Sequence, residues 1–522
     1  MCGYALTNAA GRGVSVSLTY DGSYVTNTVF MLPNGNRFSA RLSREAARKD
    51  IVTRRDYFFG GQSIYWYSTE YDLLNRPTNA TDSVSLVREW LYNRRSELAA
   101  ATVGTDRYGY DYDTIGNRLW SAANAVTNSY TANSLNQYTS VSAGANPVYD
   151  ADGNMIGDGR FSYAYDAENR LVSVTSAVET NGAIRVLNDY DHRNRRIRKT
   201  VQRLHSTIAP PPSPPVGIHE WETQETHTFV WDGNNIVLER VEFADGTTRT
   251  FEYFWGADKS GSEQGAGGVE GLLAVSMDGV FYIPCYDHNG NIILYVSETG
   301  NIVAQYVYDP YGNITESSGD LANVFSLGFS TKYHDRETGM VGYQRRFYRP
   351  DLGRWLNRDP IEEEGGGNLY AFCCNNAIAN YDKDGCAYFA YRPLDAPILR
   401  NLGITINFDW MDNSNVAILH EQLFFEDGGI PTNQGYFDDS TVRSDGAGIS
   451  YKTPHSTGWN DCIMRKAVAA VRPRPYSLLG DKDKGLVKYN CQDWAEEVRQ
   501  AYYVIKSGGT YHPWGYTEMR AR

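Results

Sequence analysis

A cysteine near the C-terminus has the surroundings of a nucleophile. Cys491 is predicted to begin an α-helix that runs to about residue 506, with Asn490 as its N-cap and Gly508 and Gly509 beyond its end. The unpaired amide groups at a helix N-terminus carry partial positive charge and favour the thiolate over the thiol. Cys491 is therefore the first candidate for a catalytic residue.

A histidine and a glutamine on one predicted strand complete this candidate site. Residues 416 to 425 read as a β-strand, and alternate residues of a strand point to the same side, so His420 and Gln422 share a face. An imidazole beside Cys491 would take its proton and leave a nucleophilic sulfur. Gln422 lies on the right face to be the third, orienting residue.

The order of these residues resembles that of the circularly permuted papain-like proteins, including the lecithin retinol acyltransferase-like group. His420 comes first, and the sequence NCQDW (490 to 494) then opens a helix. The resemblance implies a cysteine hydrolase or acyltransferase that acts on amide or ester bonds. The alternative is structural: Cys491 is a small apolar residue on the buried face of its helix, and His420 hydrogen-bonds within its strand.

Most of the chain before these residues is a repeat. Tyr-Asp, or once Trp-Asp, recurs nine times before a turn containing Gly, Asn or Arg, at Tyr20, Tyr71, Tyr112, Tyr149, Tyr165, Tyr190, Trp231, Tyr286 and Tyr308. Asp, Gly and Asn favour tight turns, and β-branched residues resume after them, so each copy is predicted to be a β-hairpin. Because one hairpin cannot bury its apolar face alone, successive hairpins must stack into a long coiled sheet.

The repeats resemble RHS/YD repeats, and residues 308 to 385 resemble the RHS repeat-associated core. The second resemblance is carried by YDPYGN (308 to 313), SLGFSTKYHDRETGMVGYQRRFYRPDLGRWLNRDPI (326 to 361) and NLYAFCCNNAIANYDKDG (368 to 385). In that family the repeats wind into a hollow β-shell around a variable C-terminal domain, often a toxin. The resemblance also implies an aspartyl self-cleavage site near residue 385, in which the paired residues are Asp359, before Pro360, and Asp382, in YDKDG (381 to 385). Two carboxylates brought together would share a proton, so that one acts as a base and the other as an acid. The alternative is that both aspartates only form turns. This chain departs from the family's pattern at Glu362 and Lys383, where Gly and Pro are usual.

The predicted fold is mainly β and has three parts. Residues 1 to 307 form the YD-repeat β-shell, and residues 308 to 385 form the repeat-associated core. Residues 386 to 522, in which the repeat stops and helices are predicted at 461 to 471 and from 491, form a small, variable α+β domain. Because the chain begins inside a repeat, we expect the shell to be incomplete at its N-terminal end.

Composition limits the partners and sites that the chain offers. A net charge of −13 argues against a nucleic acid backbone as the main partner, and the basic run RNRRIRK (193 to 199) is interpreted as a solvated strand face. Seven cysteines without C-x-x-C spacing indicate neither a disulfide framework nor a zinc site, so no metal ion and no cofactor are expected. No secretory leader and no apolar run of the roughly 20 residues that span a bilayer are visible.

Two functions follow as hypotheses. The first is an RHS-type carrier that presents a C-terminal effector, a papain-like cysteine hydrolase or acyltransferase toxin. Such a protein is secreted or displayed at the cell surface by a route not visible in the chain, and its partner is a neutralising immunity protein or a target-cell protein. The second is a non-enzymatic surface or intercellular interaction protein with a C-terminal binding module.

Overall fold

The computed structural model describes residues 2–21, 24–45, 51–142, 144, 146–208, 217–362 and 367–383, and beyond them the backbones of five strands. The chain divides into two compact units. The first contains Met1–Pro360 and Asn368–Tyr381, and the second contains Ile361–Gly367 and Asp382–Arg522. The domain boundaries at 307 and 385 stay a prediction.

The first unit is built from antiparallel sheets in which each strand pairs with its neighbours in the chain. Within the described residues, the first sheet has 13 strands: β1 Cys2–Thr7, β2 Gly13–Asp21, β3 Tyr24–Met31, β4 Arg37–Arg44, β5 Val52–Phe59, β6 Gln62–Tyr71, β7 Pro77–Asp82, β8 Val87–Tyr92, β9 Leu98–Val103, β10 Asp106–Tyr112, β11 Arg118–Ala123, β12 Val126–Ala132 and β13 Tyr138–Val141.

The second sheet continues the same meander. Its 14 described strands are β14 Val148–Tyr149, β15 Met155–Gly157, β16 Phe161–Tyr165, β17 Leu171–Ser176, β18 Ile184–Tyr190, β19 Arg196–Ile208, β20 Gly217–Asp232, β21 Asn235–Phe243, β22 Thr248–Trp255, β23 Leu272–Met277, β24 Val280–Tyr286, β25 Ile292–Ser297, β26 Ile302–Tyr308 and β27 Ile314–Ser318. The predicted mainly β fold of hairpins stacked along the chain is confirmed.

A turn closed by the repeat aspartate makes these hairpins. Oδ1 of Asp113 accepts hydrogen bonds from the amides of Ile115 and Asn117 at 3.0 and 2.8 Å, and Oδ2 accepts one from Asn117 Nδ2 at 2.9 Å. Gly116 has a φ of 91°, a left-handed conformation that glycine adopts without strain. The same pair of bonds, from the backbone and side chain of the residue four positions on, is made by Asp72, Asp150, Asp166, Asp191, Asp287 and Asp309.

The remaining two repeats have a shorter connection between their strands, and two further turns of the same kind have asparagine in place of aspartate. Asp21 pairs with Tyr24 and Asp232 pairs with Asn235, so that only two residues connect their strands. Asn93 and Asn133 each replace the aspartate in a turn of the usual kind, in which Oδ1 accepts the amide four positions on and Nδ2 donates to that residue's side chain. The Tyr-Asp pattern alone does not find these two.

In several repeats the aromatic residue ties its hairpin to the preceding one. Tyr190 Oη donates to the carbonyl oxygen of Leu171 at 2.7 Å, and Trp231 Nε1 donates to that of Arg196 at 2.9 Å. Each acceptor is the first residue of a strand that follows an earlier aspartate turn. The ring packs partly buried against the core while its polar tip satisfies a backbone carbonyl, which favours Tyr at this position.

The first sheet packs against the second through its inward-facing side chains. Asn8 Nδ2 donates to Ser276 Oγ at 3.1 Å, and Tyr57 Oη accepts the amide of Tyr286 at 2.8 Å. Both contacts join residues more than 200 positions apart in sequence. Non-local contacts of this kind hold the two sheets together as one unit.

The segment after β27 fills the core between the sheets. Among its described residues are two short 3₁₀ helices, Phe329–Thr331 and Cys373–Asn375, and a sheet formed by β28 Tyr333–Asp335, β29 Met340–Gly342, β30 Phe347–Arg349 and β31 Arg354–Trp355. Tyr348 and Phe372 stack with ring centroids 3.8 Å apart. Tyr370 Oη donates to the carbonyl of Gly153 at 2.7 Å, so this segment is anchored in a repeat turn.

The described part of the second unit beyond residue 383 is one sheet. Its strands are β32 Cys386–Pro393, β33 Leu419–Phe425, β34 Asn433–Tyr436, β35 Val442–Arg443 and β36 Ser456–Asn460, in the order β35-β34-β33-β32-β36. The helices predicted at 461 to 471 and from 491 lie outside the described residues. In the part of the chain that is described, no helix has the length and hydrophobicity to cross a bilayer.

Candidate functional site

Asp359, the first aspartate of the predicted self-cleavage site, belongs to the first unit. Its Oδ2 lies 2.9 Å from Arg346 Nη2, and both side chains are largely buried. The Arg346 guanidinium also stacks on Trp355, 4.2 Å from the ring centroid, while the Asp359 amide donates to the carbonyl of Leu369 at 3.0 Å. The carboxylate is therefore held in a fixed position by a cation.

Asp382, the second aspartate, belongs to the second unit, and Tyr381 before it is the last residue of the first unit. Its side chain is buried. The predicted cleavage point after Gly385 involves residues outside the described part of the chain. The pairing of the two aspartates stays a prediction.

His420 and Gln422 both lie on β33, which confirms the predicted strand over Leu419–Phe425. In the register with β32, His420 is opposite Arg392 and Gln422 is opposite Ala390. The two residues are therefore on one face of the strand, as alternate positions must be. Cys491 lies outside the described residues. The Cys491–His420 pair stays a prediction.

A cluster of buried polar side chains in the first unit joins the repeats to the core segment. Glu225 and His227 lie two positions apart on β20, and Glu337 lies in the turn between β28 and β29. One side-chain oxygen or nitrogen from each of the three lies within 4.8 Å of the others. His227 is 7% exposed; its Nε2 makes no hydrogen bond but lies 3.3 Å from Glu225 Oε1.

A buried carboxylate holds the opposite nitrogen of this imidazole. His227 Nδ1 is 2.6 Å from Glu239 Oε1, and Glu239 is 1% exposed. Tyr253 and Tyr333 each donate a hydrogen bond of 2.6 Å to Glu239. Burial alone would raise the pKa of Glu239, but the contact with His227 lowers it. Burial would likewise lower the pKa of His227, and Glu225 and Glu239 together raise it.

Two cations from the preceding strand complete the cluster. Arg196 makes a bidentate pair with Asp335, at 2.7 and 3.0 Å, and Lys199 Nζ is 2.9 Å from Glu337 Oε1 and 3.4 Å from Asp335 Oδ1. Burial raises the pKa of Asp335, but Arg196 and Lys199 outweigh it and lower that pKa to about 2. Glu239 and Asp335 are therefore buried carboxylates whose neighbours favour the charged form.

The interpretation of residues 193 to 199 as a solvated strand face is wrong for Arg196 and Lys199. Both side chains are buried, whereas Arg198 is exposed. The reason is a β-bulge: Tyr190 pairs with Arg196 and Asp189 with Arg198, so Ile197 is an extra residue that shifts the alternation. A period of two read from the sequence places the wrong residues inside.

Sequence reasoning also missed Glu225, His227, Glu239 and Glu337. The available signal was a Glu-x-His pair on a long predicted strand, together with the acidic sequence HDRETG (334 to 339) of the core. Nothing in the sequence shows that residues more than 100 positions apart meet.

Hairpins stacked in chain order, turns closed by a repeated aspartate and an inward-packed core segment define a YD-repeat shell protein. The family model described as Teneurin YD-shell matches residues 15–245 and 270–373. The chain belongs to this family. The resemblance to RHS/YD repeats is thereby confirmed.

Two curated proteins that are similar to this chain are much longer than it. tRNA3(Ser)-specific nuclease WapA of Bacillus spizizenii is 28% identical over 286 residues, which are 53% of this chain and 11% of that protein. Double-stranded DNA deaminase toxin A of Burkholderia cenocepacia is 24% identical over 335 residues, 60% of this chain and 22% of that protein. The chain thus spans between a tenth and a quarter of the length of these two relatives.

A solved structure gives a weaker likeness. The crystal structure of TcdB2-TccC3-Cdc42 aligns with a TM-score of 0.37 and 17% identity, covering 72% of this chain and 22% of that one.

Proposed function

We propose that residues 1–385 are a carrier shell and that residues 386–522 are the effector that it carries, in a protein of the polymorphic-toxin kind. The family match carries the proposal: it covers the repeats and most of the core segment and ends at residue 373. A relative named as a toxin is 24% identical to this chain over 335 residues. Fold alone does not assign activity, so the chemistry must come from the C-terminal residues.

The effector that the residues favour is a cysteine hydrolase or acyltransferase. Cys491 is the nucleophile, His420 is the base that takes its proton, and Gln422 orients the imidazole or the substrate. The position of His420 and Gln422 on one face of β33 supports this arrangement. The proton transfer requires that an imidazole nitrogen and the sulfur come within about 3 to 4 Å.

A second candidate is an effector that acts on nucleic acid. The names of the two relatives, a tRNA nuclease and a DNA deaminase toxin, favour it. The net charge of −13 belongs to the whole chain and does not exclude a local basic surface on the effector. Purified full chain incubated with RNA and with double-stranded DNA would reveal cleavage or deamination.

Processing and partners follow from the same proposal. Asp359 and Asp382 act as the base and the acid of a self-cleavage reaction that releases the effector after residue 385. The cell that makes the toxin needs a neutralising protein that covers the effector. The toxin is secreted or displayed at the surface.

Inducible expression of the full chain in bacteria, without a neutralising protein, tests the chemistry. The expected result is growth arrest with the native chain and normal growth with Cys491→Ser at equal protein level. Cys462→Ser is the matched control and should arrest growth like the native chain. Arrest by Cys491→Ser would exclude the cysteine mechanism, and harmless native chain would favour the non-enzymatic interaction protein.

A further inference from the structure

We propose that Glu225, His227 and Glu337 form a binding site for a divalent transition-metal ion inside the shell. Such an ion would connect β20 of the repeat sheet to the turn between β28 and β29 of the core segment. All three residues belong to the first unit, and their ligand types, spacing, orientation and charge each favour such an ion.

Ligand types and spacing fit a small ion with mixed nitrogen and oxygen ligands. Imidazole nitrogen and carboxylate oxygen bind Zn²⁺ and Mn²⁺ at roughly 2.0 to 2.2 Å, which places two ligands of a tetrahedral site roughly 3.4 Å apart. His227 Nε2 and Glu225 Oε1 are 3.3 Å apart. The third ligand atom, from Glu337, is within 4.8 Å of both, so a small side-chain rotation would close the site.

The imidazole is already oriented for such a bond. Metal-binding histidines commonly donate their second N–H to a carboxylate, which fixes the ring and directs the other nitrogen at the ion. Glu239 occupies this position at 2.6 Å from Nδ1, and two tyrosine hydroxyls hold it in place. His227 Nε2 is buried without a hydrogen bond. A buried polar atom in this state is costly unless something binds it.

The charge of the cluster also favours a divalent cation. Four carboxylates, those of Glu225, Glu239, Asp335 and Glu337, face two fixed cations, Arg196 and Lys199. With a neutral imidazole the excess is two negative charges, which one divalent ion would balance. The competing occupant is a proton on Nε2, which would turn the imidazole into a donor to Glu225 and leave one negative charge.

Lys199 would compete with the ion for the carboxylate of Glu337. Its ammonium is 2.9 Å from both oxygens of that carboxylate, so the ion and the lysine must share it. With three protein ligands, at least one coordination position stays open to water. We expect moderate affinity, since part of the charge of Glu337 is already neutralised.

Titration of the chelator-treated full chain with Mn²⁺, followed by the electron paramagnetic resonance signal of the free ion, tests the proposal. Mn²⁺ is the probe because thiolates, which bind Zn²⁺ well, are poor ligands for it, and the chain has seven cysteines. The expected result is loss of one equivalent of free-ion signal. His227→Gln and Glu225→Gln should each weaken binding by roughly 10- to 100-fold or more.

The exposed pair His205 and Glu222, on the neighbouring positions of β19 and β20, supplies the matched control. Their side chains are 3.5 Å apart and about half exposed, and His205→Gln should bind Mn²⁺ like the native chain. Failure of the native chain to bind Mn²⁺ overturns the proposal and assigns Nε2 to a proton. Equal binding by the native chain, His227→Gln and Glu225→Gln overturns it as well, because the ion then sits elsewhere. The native-chain titration decides even if a variant does not fold.

Discussion

Replacing Asn93 by aspartate should destabilise the shell even though aspartate is the usual residue of the repeat. In seven turns the aspartate accepts hydrogen bonds from an Asn or Arg four positions later in the chain. Asn93 instead has Glu97 at that position and donates to its Oε2 at 2.7 Å. Glu97 is 3% exposed. The variant Asn93→Asp therefore places two carboxylates in contact at a buried site, in place of a hydrogen bond to a charged acceptor.

The size of the effect is bounded on both sides. Loss of a hydrogen bond to a charged group costs roughly 1.5 to 3 kcal/mol. The repulsion cannot exceed the cost of protonating one carboxyl at pH 7, which is about 4 kcal/mol for a group with an ordinary pKa near 4.3. Arg95, 2.7 Å from Glu97 Oε2, screens part of the repulsion. We expect a loss of about 2 to 3 kcal/mol of stability at pH 7.

The assay is thermal unfolding of the native and variant chains between pH 4 and pH 7. In the variant the folded-state pKa of the carboxyl pair is raised above its unfolded value, so the destabilisation is full at pH 7 and disappears as the pH falls towards about 4. Asn133→Asp is the control, because Gln137 can turn its amide to donate, and it should cost less than about 1.5 kcal/mol. Asn93→Asp with Glu97→Asn recreates the Asp113–Asn117 pair and should recover most of the loss. A variant as stable as the native chain at pH 7, or a loss that does not depend on pH, would refute this account of the turn.

Three further predictions concern single buried charges. Burial lowers the pKa of Lys259 to about 8, so the unfolded chain binds more protons than the folded chain between pH 8 and 10.5. The stability of the native chain relative to Lys259→Met should therefore rise by about 2 to 3 kcal/mol from pH 8 to 10. A stability difference between the two chains that stays constant across this range would contradict the prediction. Asp335→Asn leaves Arg196 and Lys199 buried without their shared carboxylate, and it should lower the free energy of unfolding in chemical denaturation by about 3 to 5 kcal/mol. A loss under about 1 kcal/mol would show that the two cations find other partners. Self-cleavage should give a fragment of roughly 135 residues, the size of a compact domain, in the mass spectrum of the native chain. The variant Asp359→Asn should lack this fragment, whereas the control Asp351→Asn, which also breaks an ion pair with a core arginine, should keep it. Intact chains of 58.6 kDa in all three samples would exclude self-cleavage.

The hairpins could be predicted because their information is local. The turn needs an aspartate, a residue that tolerates left-handed backbone and a partner four positions on, all within five residues, as at Asp113 to Asn117. The turns at Asn93 and Asn133 were not predicted, because a search for Tyr-Asp does not find asparagine. In these turns the side chain donates to the side chain four positions later, where aspartate would accept.

The buried ionic cluster could not be predicted because its information is not local. His227 meets Glu337 only through the packing of the core segment on the repeat sheet, and the bulge at Ile197 decides which basic residues enter the cluster. For the candidate catalytic residues, only the local part of the arrangement could be predicted. His420 and Gln422 share a strand face, as local periodicity predicts, but their distance from Cys491 depends on tertiary packing that periodicity does not contain.

The most direct test of the carrier and effector account compares growth of cells that express the full chain with cells that express residues 1–385 at the same level. The account predicts that the full chain arrests growth and that residues 1–385 do not, because the shell carries the effector without sharing its activity. Arrest by residues 1–385 alone would place the activity in the shell and contradict the account.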